Sequence, residues 1–217
     1  MLRSLDSLRG FELFATDGEL GMITEFYFDD LDWAILYMAI DTGSWLPGRK
    51  VLVPPASLGE MNWVERKINV LVTREEIASS PEIELHQPYT REQEIAYFAH
   101  FGWPCLWTGE MRSVMEVRNV LVVGSDSKPL GQVEDLVIED DLWIVRYLNL
   151  TIESEHKIES CLIPIQLIHE LDWRSSRMLT SVEGDLVRKA PEFDPRQLSQ
   201  RPYEQQLFNH YAIEPYW

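Results

Sequence analysis

Along much of the chain every second residue is apolar, which is the period of half-buried strands. Phe11, Leu13 and Ala15 alternate with polar neighbours before the turn Asp17-Gly18, and Val120, Val122 and Gly124 hold the same slots before Asp126-Ser127. Residues 21–28 are rich in β-branched and aromatic side chains and end in the acidic turn Asp29-Asp30-Leu31-Asp32. Residues 33–41 form a near-continuous apolar run of strand length, and residues 143–152 repeat it. Residues 50–53, stopped by Pro54-Pro55, and residues 68–73 read as further strands. Five or six short strands with a turn every 8–12 residues predict a small antiparallel barrel or sandwich. The pattern then turns helical. Thr90-Arg91-Glu92-Gln93 reads as a capping box opening a helix with Ile95, Phe98 and Phe101 on one face. Residues 202–211 repeat that tail with Leu207, Phe208, His210 and Tyr211. So little apolar surface cannot hold a helix alone, so each tail should clamp onto a barrel or a second subunit.

The two halves are copies of one unit. At an offset of 110, Gly21 meets Gly131, Trp33 meets Trp143, Tyr37 meets Tyr147, Pro54 meets Pro164 and Trp63 meets Trp173. Residues 20–107 show 19 identities in 88 gapless positions, where background frequencies give roughly 5 by chance. Before residue 19 the offset is 109, and Arg3, Ser4, Arg9 and Asp17 meet Arg112, Ser113, Arg118 and Asp126. The extra residue falls in the turn Asp126-Ser127-Lys128-Pro129, where an insertion is tolerated. Gly21 and Gly131 are expected to mark a bulge or tight corner. The domains read as residues 1–83 and 111–193, with helical aromatic tails at 84–110 and 194–217.

Charge narrows the partners. The net charge is −17 over 217 residues; Lys and Arg number 8 against 17 acidic residues in 1–107, and 11 against 19 in 108–217. With no basic block, the chain is not expected to bind nucleic acid or an anionic membrane surface. A protein partner, a basic one in particular, fits better. Two cysteines without a CxxC, no signal-like segment and no membrane-length apolar run predict a soluble cytoplasmic protein.

These residues also carry a resemblance. Each copy resembles a PRC-barrel domain, the unit shared by the cytoplasmic part of the photosynthetic reaction-centre H subunit and the C-terminal half of a ribosome maturation factor. The matching features are the opening Leu-Arg-Ser, the turn Asp17-Gly18-Glu19-Leu20-Gly21, the acidic turn before Trp33 and, most distinctively, residues 41–54. The resemblance covers roughly residues 2–83 and 111–193. It implies a mainly β protein of two tandem small antiparallel barrels of SH3-like type, each followed by its tail. It further implies a non-catalytic role in assembly or regulation, with no cofactor. The H subunit's membrane helix has no counterpart here, and the second copy has Glu153-Ser154-Glu155-His156-Lys157 in place of residues 43–50.

The loop at residues 43–50 is the candidate partner-binding loop, with Trp45, Arg49 and Lys50 as an aromatic anchor beside two cations. The competing reading folds Trp45 back over the barrel end, with Arg49 and Lys50 paired to acidic turns. The loop is not a phosphate loop, because Arg49 intervenes and no Ser or Thr follows Lys50. The turns Asp29-Asp30-Asp32 and Glu139-Asp140-Asp141 lack calcium-loop spacing and read as solvated hairpin turns. His100 and His210 stand at equivalent positions and read as packed against aromatics; Cys105 and Cys161 read as inert thiols. The expectation is therefore a protein-binding adaptor or regulatory module, non-enzymatic and homo-oligomeric. The alternatives are a small-molecule or metal-binding protein using a cleft between the barrels, and assistance to a ribosome or photosynthetic complex by analogy of fold.

Overall fold

The computed structural model describes residues 1–81, 91–103, 108–154 and 157–217. Thr90 of the expected capping box, Cys105, Trp107, Glu155 and His156 lie outside the described residues. The first copy contains β1 (Leu2–Ser4), α1 (Leu5–Leu8), β2 (Glu12–Ala15), β3 (Gly18–Asp29), β4 (Ile35–Asp41), β5 (Lys50–Val53), β6 (Leu58–Asn62), β7 (Lys67–Val70), α2 (Arg74–Ala78) and α3 (Arg91–Phe101). The second repeats it as β8 (Met111–Ser113), α4 (Val114–Val117), β9 (Leu121–Val123), β10 (Pro129–Glu139), β11 (Ile144–Ser154), β12 (Lys157–Pro164), β13 (Ile168–Asp172), β14 (Arg177–Thr180), α5 (Gly184–Arg188) and α6 (Arg201–Tyr211).

The compact units do not follow the copies. One unit is Leu8–Ser113; the other joins Met1–Ser7 to Val114–Trp217. The cause is an exchange of first strands. β1 pairs with β10 of the second copy, while β8 pairs with β3 of the first. Each unit then holds one seven-stranded sheet. The order is β5-β4-β3-β2-β7-β6 in one and β12-β11-β10-β9-β14-β13 in the other, the exchanged strand lying off the path against β3 or β10.

Two expectations change here. Among the described residues no pairing joins β5 to β6 or β12 to β13, so neither sheet closes into a barrel. Nor is the pairing wholly antiparallel, because β2 runs parallel to β7 and β9 parallel to β14. Parallel neighbours need a long crossover, and the strands between β2 and β7 supply it.

Local chemistry explains the elements. Phe11, Leu13 and Ala15 are buried, as alternation in a half-buried strand requires. Trp33 and Trp143 do not begin strands: they end the acidic hairpin turns with φ of 58° and 54°. Each N–H closes its turn on the carbonyl of Asp29 or Glu139, at 2.9 and 2.8 Å. Bulky residues rarely take positive φ, and Trp33 is held there partly by stacking on Phe28, ring centres 5.1 Å apart. Thr73 opens α2 in a capping box with Glu76 rather than extending a strand. In the first tail the buried face is Glu94, Tyr97 and Phe98, with Ile95 half exposed. Tyr97 and Phe98 pack on Tyr37, Ala39 and Leu52 of the same unit. Phe98 and Phe101 pack on the core as the apolar period predicts, whereas Ile95 faces out and Glu94, an inward-facing hydrogen-bond acceptor, joins the buried face.

Gly21 sits where β3 passes the end of β4. A Cβ there would lie 2.0 Å from the Asp41 carbonyl oxygen, at a φ of 138°. At Gly131 it would lie 2.3 Å from the Thr151 carbonyl oxygen. Gly43, at φ 59° with nothing within 4 Å, lacks the clash. Gly21→Ala and Gly131→Ala should therefore each destabilise the fold by about 3 kcal/mol or more, and Gly43→Ala by only about 1 kcal/mol. Chemical denaturation of the three variants measures the difference.

Candidate functional site

The loop at residues 43–50 was the sequence's best candidate. Thr42 staples it from below, its hydroxyl donating to the carbonyls of Leu46 at 2.8 Å and Arg49 at 3.1 Å. Trp45 turns back: its indole N–H donates to the Leu20 carbonyl at 2.7 Å, and the Arg74 guanidinium lies 4.4 Å above its ring. Arg49 also points inward. It donates to the Ala78 carbonyl at 2.7 Å and to both the carbonyl and, at 3.0 Å, the hydroxyl of Ser80. These oxygens end α2, where a cation is favoured by the helix's terminal carbonyls. Of the three loop residues, only Lys50 is exposed.

The acidic turns hold backbone. Asp29, 1% exposed, accepts from the N–H groups of Leu31 and Asp32 in its own turn and of Thr108 and Gly109. Burial alone would push its carboxyl up, but these four donors outweigh burial and hold it below the usual carboxylate range. Asp30 accepts from the Glu110 N–H at 2.8 Å and pairs with Arg112 at 3.3 Å. In the second copy Asp140 takes the same role, pairing with Arg3 at 3.1 Å and with the Met1 amine at 2.5 Å. Sequence reasoning missed this docking function. The visible signal was an Arg in each copy's opening Leu-Arg-Ser or Met-Arg-Ser, opposite in charge to both turns.

The histidines serve as struts. His100 Nε2 lies 2.9 Å from the Glu76 carbonyl of α2, and His210 Nε2 2.8 Å from the Leu186 carbonyl of α5. Each therefore donates within its own unit. Among the described residues no group of three or more His, Cys, Asp or Glu side chains is arranged to hold a metal ion. Beside each strut a buried carboxylate meets a buried phenol: Tyr37 donates to Glu94 at 3.1 Å and Tyr147 to Glu204 at 3.0 Å. Cys161 is buried, and burial pushes its thiol up to about 12, which removes the reactive thiolate at neutral pH.

The copies differ at one buried carboxylate. In the first, Glu25 pairs with Arg9 at 3.1 Å. In the second, Asp135 stands at that position, and Arg118, the counterpart of Arg9, bonds instead to Asp6. Asp135 is 4% exposed, accepts from the Ser4 hydroxyl and the Asp6 N–H, and leaves its Oδ1 without a partner among the described residues. Burial pushes its carboxyl up to about 6 from an ordinary value of 3.8, with the nearby Asp6 charge adding to the shift.

No family model matches this chain and no curated protein matches it. Its residues and their geometry carry the reading that follows.

Two predictions follow from these contacts. Arg49→Ala strips charge-assisted hydrogen bonds from a helix end and should cost about 1–3 kcal/mol of stability, read by denaturant unfolding. For Asp135, the folded state binds a proton more tightly than the unfolded state between the two pKa values. The stability contributed by protonated Asp135 is thus fully present below about pH 4 and is lost as pH rises through about 6. Asp135→Asn should match wild type near pH 4 and exceed it above about pH 7 by up to about 3 kcal/mol. Unfolding curves at both pH values, compared between the two proteins, give that difference.

Proposed function

We propose that the chain is a non-catalytic adaptor or regulatory module of PRC-barrel type whose partner is a basic protein. The observation that carries this reading is an exposed leucine set among carboxylates in the corresponding turn of each copy: Leu31, 66% exposed, and Leu142, 59% exposed. An apolar anchor inside a charged rim is the composition of a protein-binding spot. A surface charged like this chain's, at −17, speeds encounter with a cationic partner. The resemblance of residues 41–54 to PRC-barrel proteins supports the same class. On this reading each unit is an SH3-like barrel left open between its two end strands. No helix among the described residues is long and apolar enough to cross a membrane.

The loop at residues 43–50 contributes to this reading as support for the fold, since Trp45 and Arg49 are spent on their own unit. The anchors are the two leucines. Immobilised wild-type chain and the double variant Leu31→Ser, Leu142→Ser should be compared for capture from a cell extract at low and high salt. The wild type should retain a basic protein that salt releases. The double variant should retain it at least 10-fold less, with an unchanged unfolding midpoint because both side chains are exposed. Capture indifferent to both salt and the leucines would refute the reading.

A further inference from the structure

We propose that β1 and β8 are interchangeable plugs for one kind of socket, and that the chain associates with a second copy of itself by trading them. This stands independently of the adaptor reading.

The registers are the first support. Leu2, Arg3 and Ser4 stand opposite Glu139, Ile138 and Val137. Met111, Arg112 and Ser113 stand opposite Asp29, Phe28 and Tyr27. Residues 27–29 are the repeat counterparts of 137–139, so the two plugs sit at identical heights in the two sockets. Their side chains agree as well: Arg3 meets Asp140 at 3.1 Å and Arg112 meets Asp30 at 3.3 Å. A plug moved to the other socket would find an apolar first residue's site, an aspartate for its arginine and the same ladder of backbone groups.

The hinge is the second support. On β3, β4 covers one side across Met22–Phe28, so β2 and β8 share the other, Glu12 opposite Met22 and Ser113 opposite Tyr27. Five residue steps of β3 separate those points, about 17 Å. Residues 5–11 could span this distance, since eight steps of extended chain reach about 27 Å. β1 is thus long enough in tether to pair with its own copy, yet it crosses to the other. The crossing segments are α1, with Leu5 and Leu8 fully buried, and α4, with Val114 and Val117 buried. Each plug already sits in the other copy's socket, and the same sockets are satisfied when that copy lies in another molecule. Such exchange of an identical element is a low-cost route to dimers. No new contact is created, so the balance between the two forms is set by the effective concentration of the tethered plug, on the order of mM for a short linker.

The test is full-length protein refolded from denaturant at increasing chain concentration, followed by dilution and light scattering. A species of twice the chain mass should grow with refolding concentration and persist on dilution, because release requires β1 to leave its sheet. A mixture of Ser4→Cys chains with Val137→Cys chains, refolded together and oxidised, should give a disulfide-linked pair joining those two cysteines by peptide mapping. Each variant refolded alone supplies the background from the native cysteines. A single-chain mass at every refolding concentration would overturn the proposal, whatever the cysteine variants do. A double-mass species lacking the Ser4→Cys to Val137→Cys link, with both variants folded, would overturn strand trading as its basis.

Discussion

A long strand with half of one edge unpaired cannot stay that way, and the architecture of this chain turns on that constraint. β3 runs from Gly18 to Asp29, but β2 pairs only as far as Met22. The edge at Tyr27–Asp29 would leave its N–H and C=O groups bare or open to any passing strand. The same gap recurs on β10. Each is filled by three residues from the other copy, so neither copy completes its sheet without the other's first strand. The duplication is more than two domains in series, since the chain passes between the units at Ser7–Leu8 and again at Ser113–Val114.

The acidity of the chain reads differently once this is seen. Part of the charge faces solvent, but Asp29, Glu94, Asp135 and Glu204 are buried. A buried carboxylate costs free energy unless hydrogen bonds replace its lost water. Asp29 receives four backbone donors; Glu204 receives Tyr147, Tyr216 and Arg201. These groups hold the first strands and the tail helices in addition to the apolar burial of Leu2, Tyr97, Phe98, Leu207 and Phe208.

What the sequence disclosed follows from the same division. The repeat, the mainly β character and the tail helices were legible because apolar period and rare tryptophans report them directly. Gly21 and Gly131 were expected at a bulge or tight corner; the ladder shifts register beside both, and the close carbonyls of Asp41 and Thr151 give the physical reason for glycine. The strand exchange was not legible, because a three-residue strand pairs equally well with either copy by sequence. Arg49 was visible as a cation in a loop, but nothing in a linear reading tells a solvent-facing cation from one capping a helix end. The inward role of Glu94 was not legible either: periodicity counts a carboxylate as surface, and its partner Tyr37 lies 57 residues away.

The two copies show what the duplication preserves. Tyr97 donates to the Leu52 carbonyl at 2.6 Å, and Tyr211 donates to the Leu162 carbonyl at 2.9 Å. The carbonyls are repeat counterparts, but the tyrosines are not: the counterpart of Tyr97 is Leu207, and that of Tyr211 is Phe101. One helical turn separates the two solutions, since positions i and i+4 lie on the same face. The hydroxyl has changed position while its acceptor has stayed. The buried backbone carbonyl at the end of the sheet is thus the fixed requirement, and the residue that meets it is free to vary along one face of the helix. The same logic separates Glu25, which meets Arg9, from Asp135, which meets the exchanged strand. At these positions the copies diverge in how a polar group is satisfied, and at Asp135 the satisfaction is incomplete among the described residues.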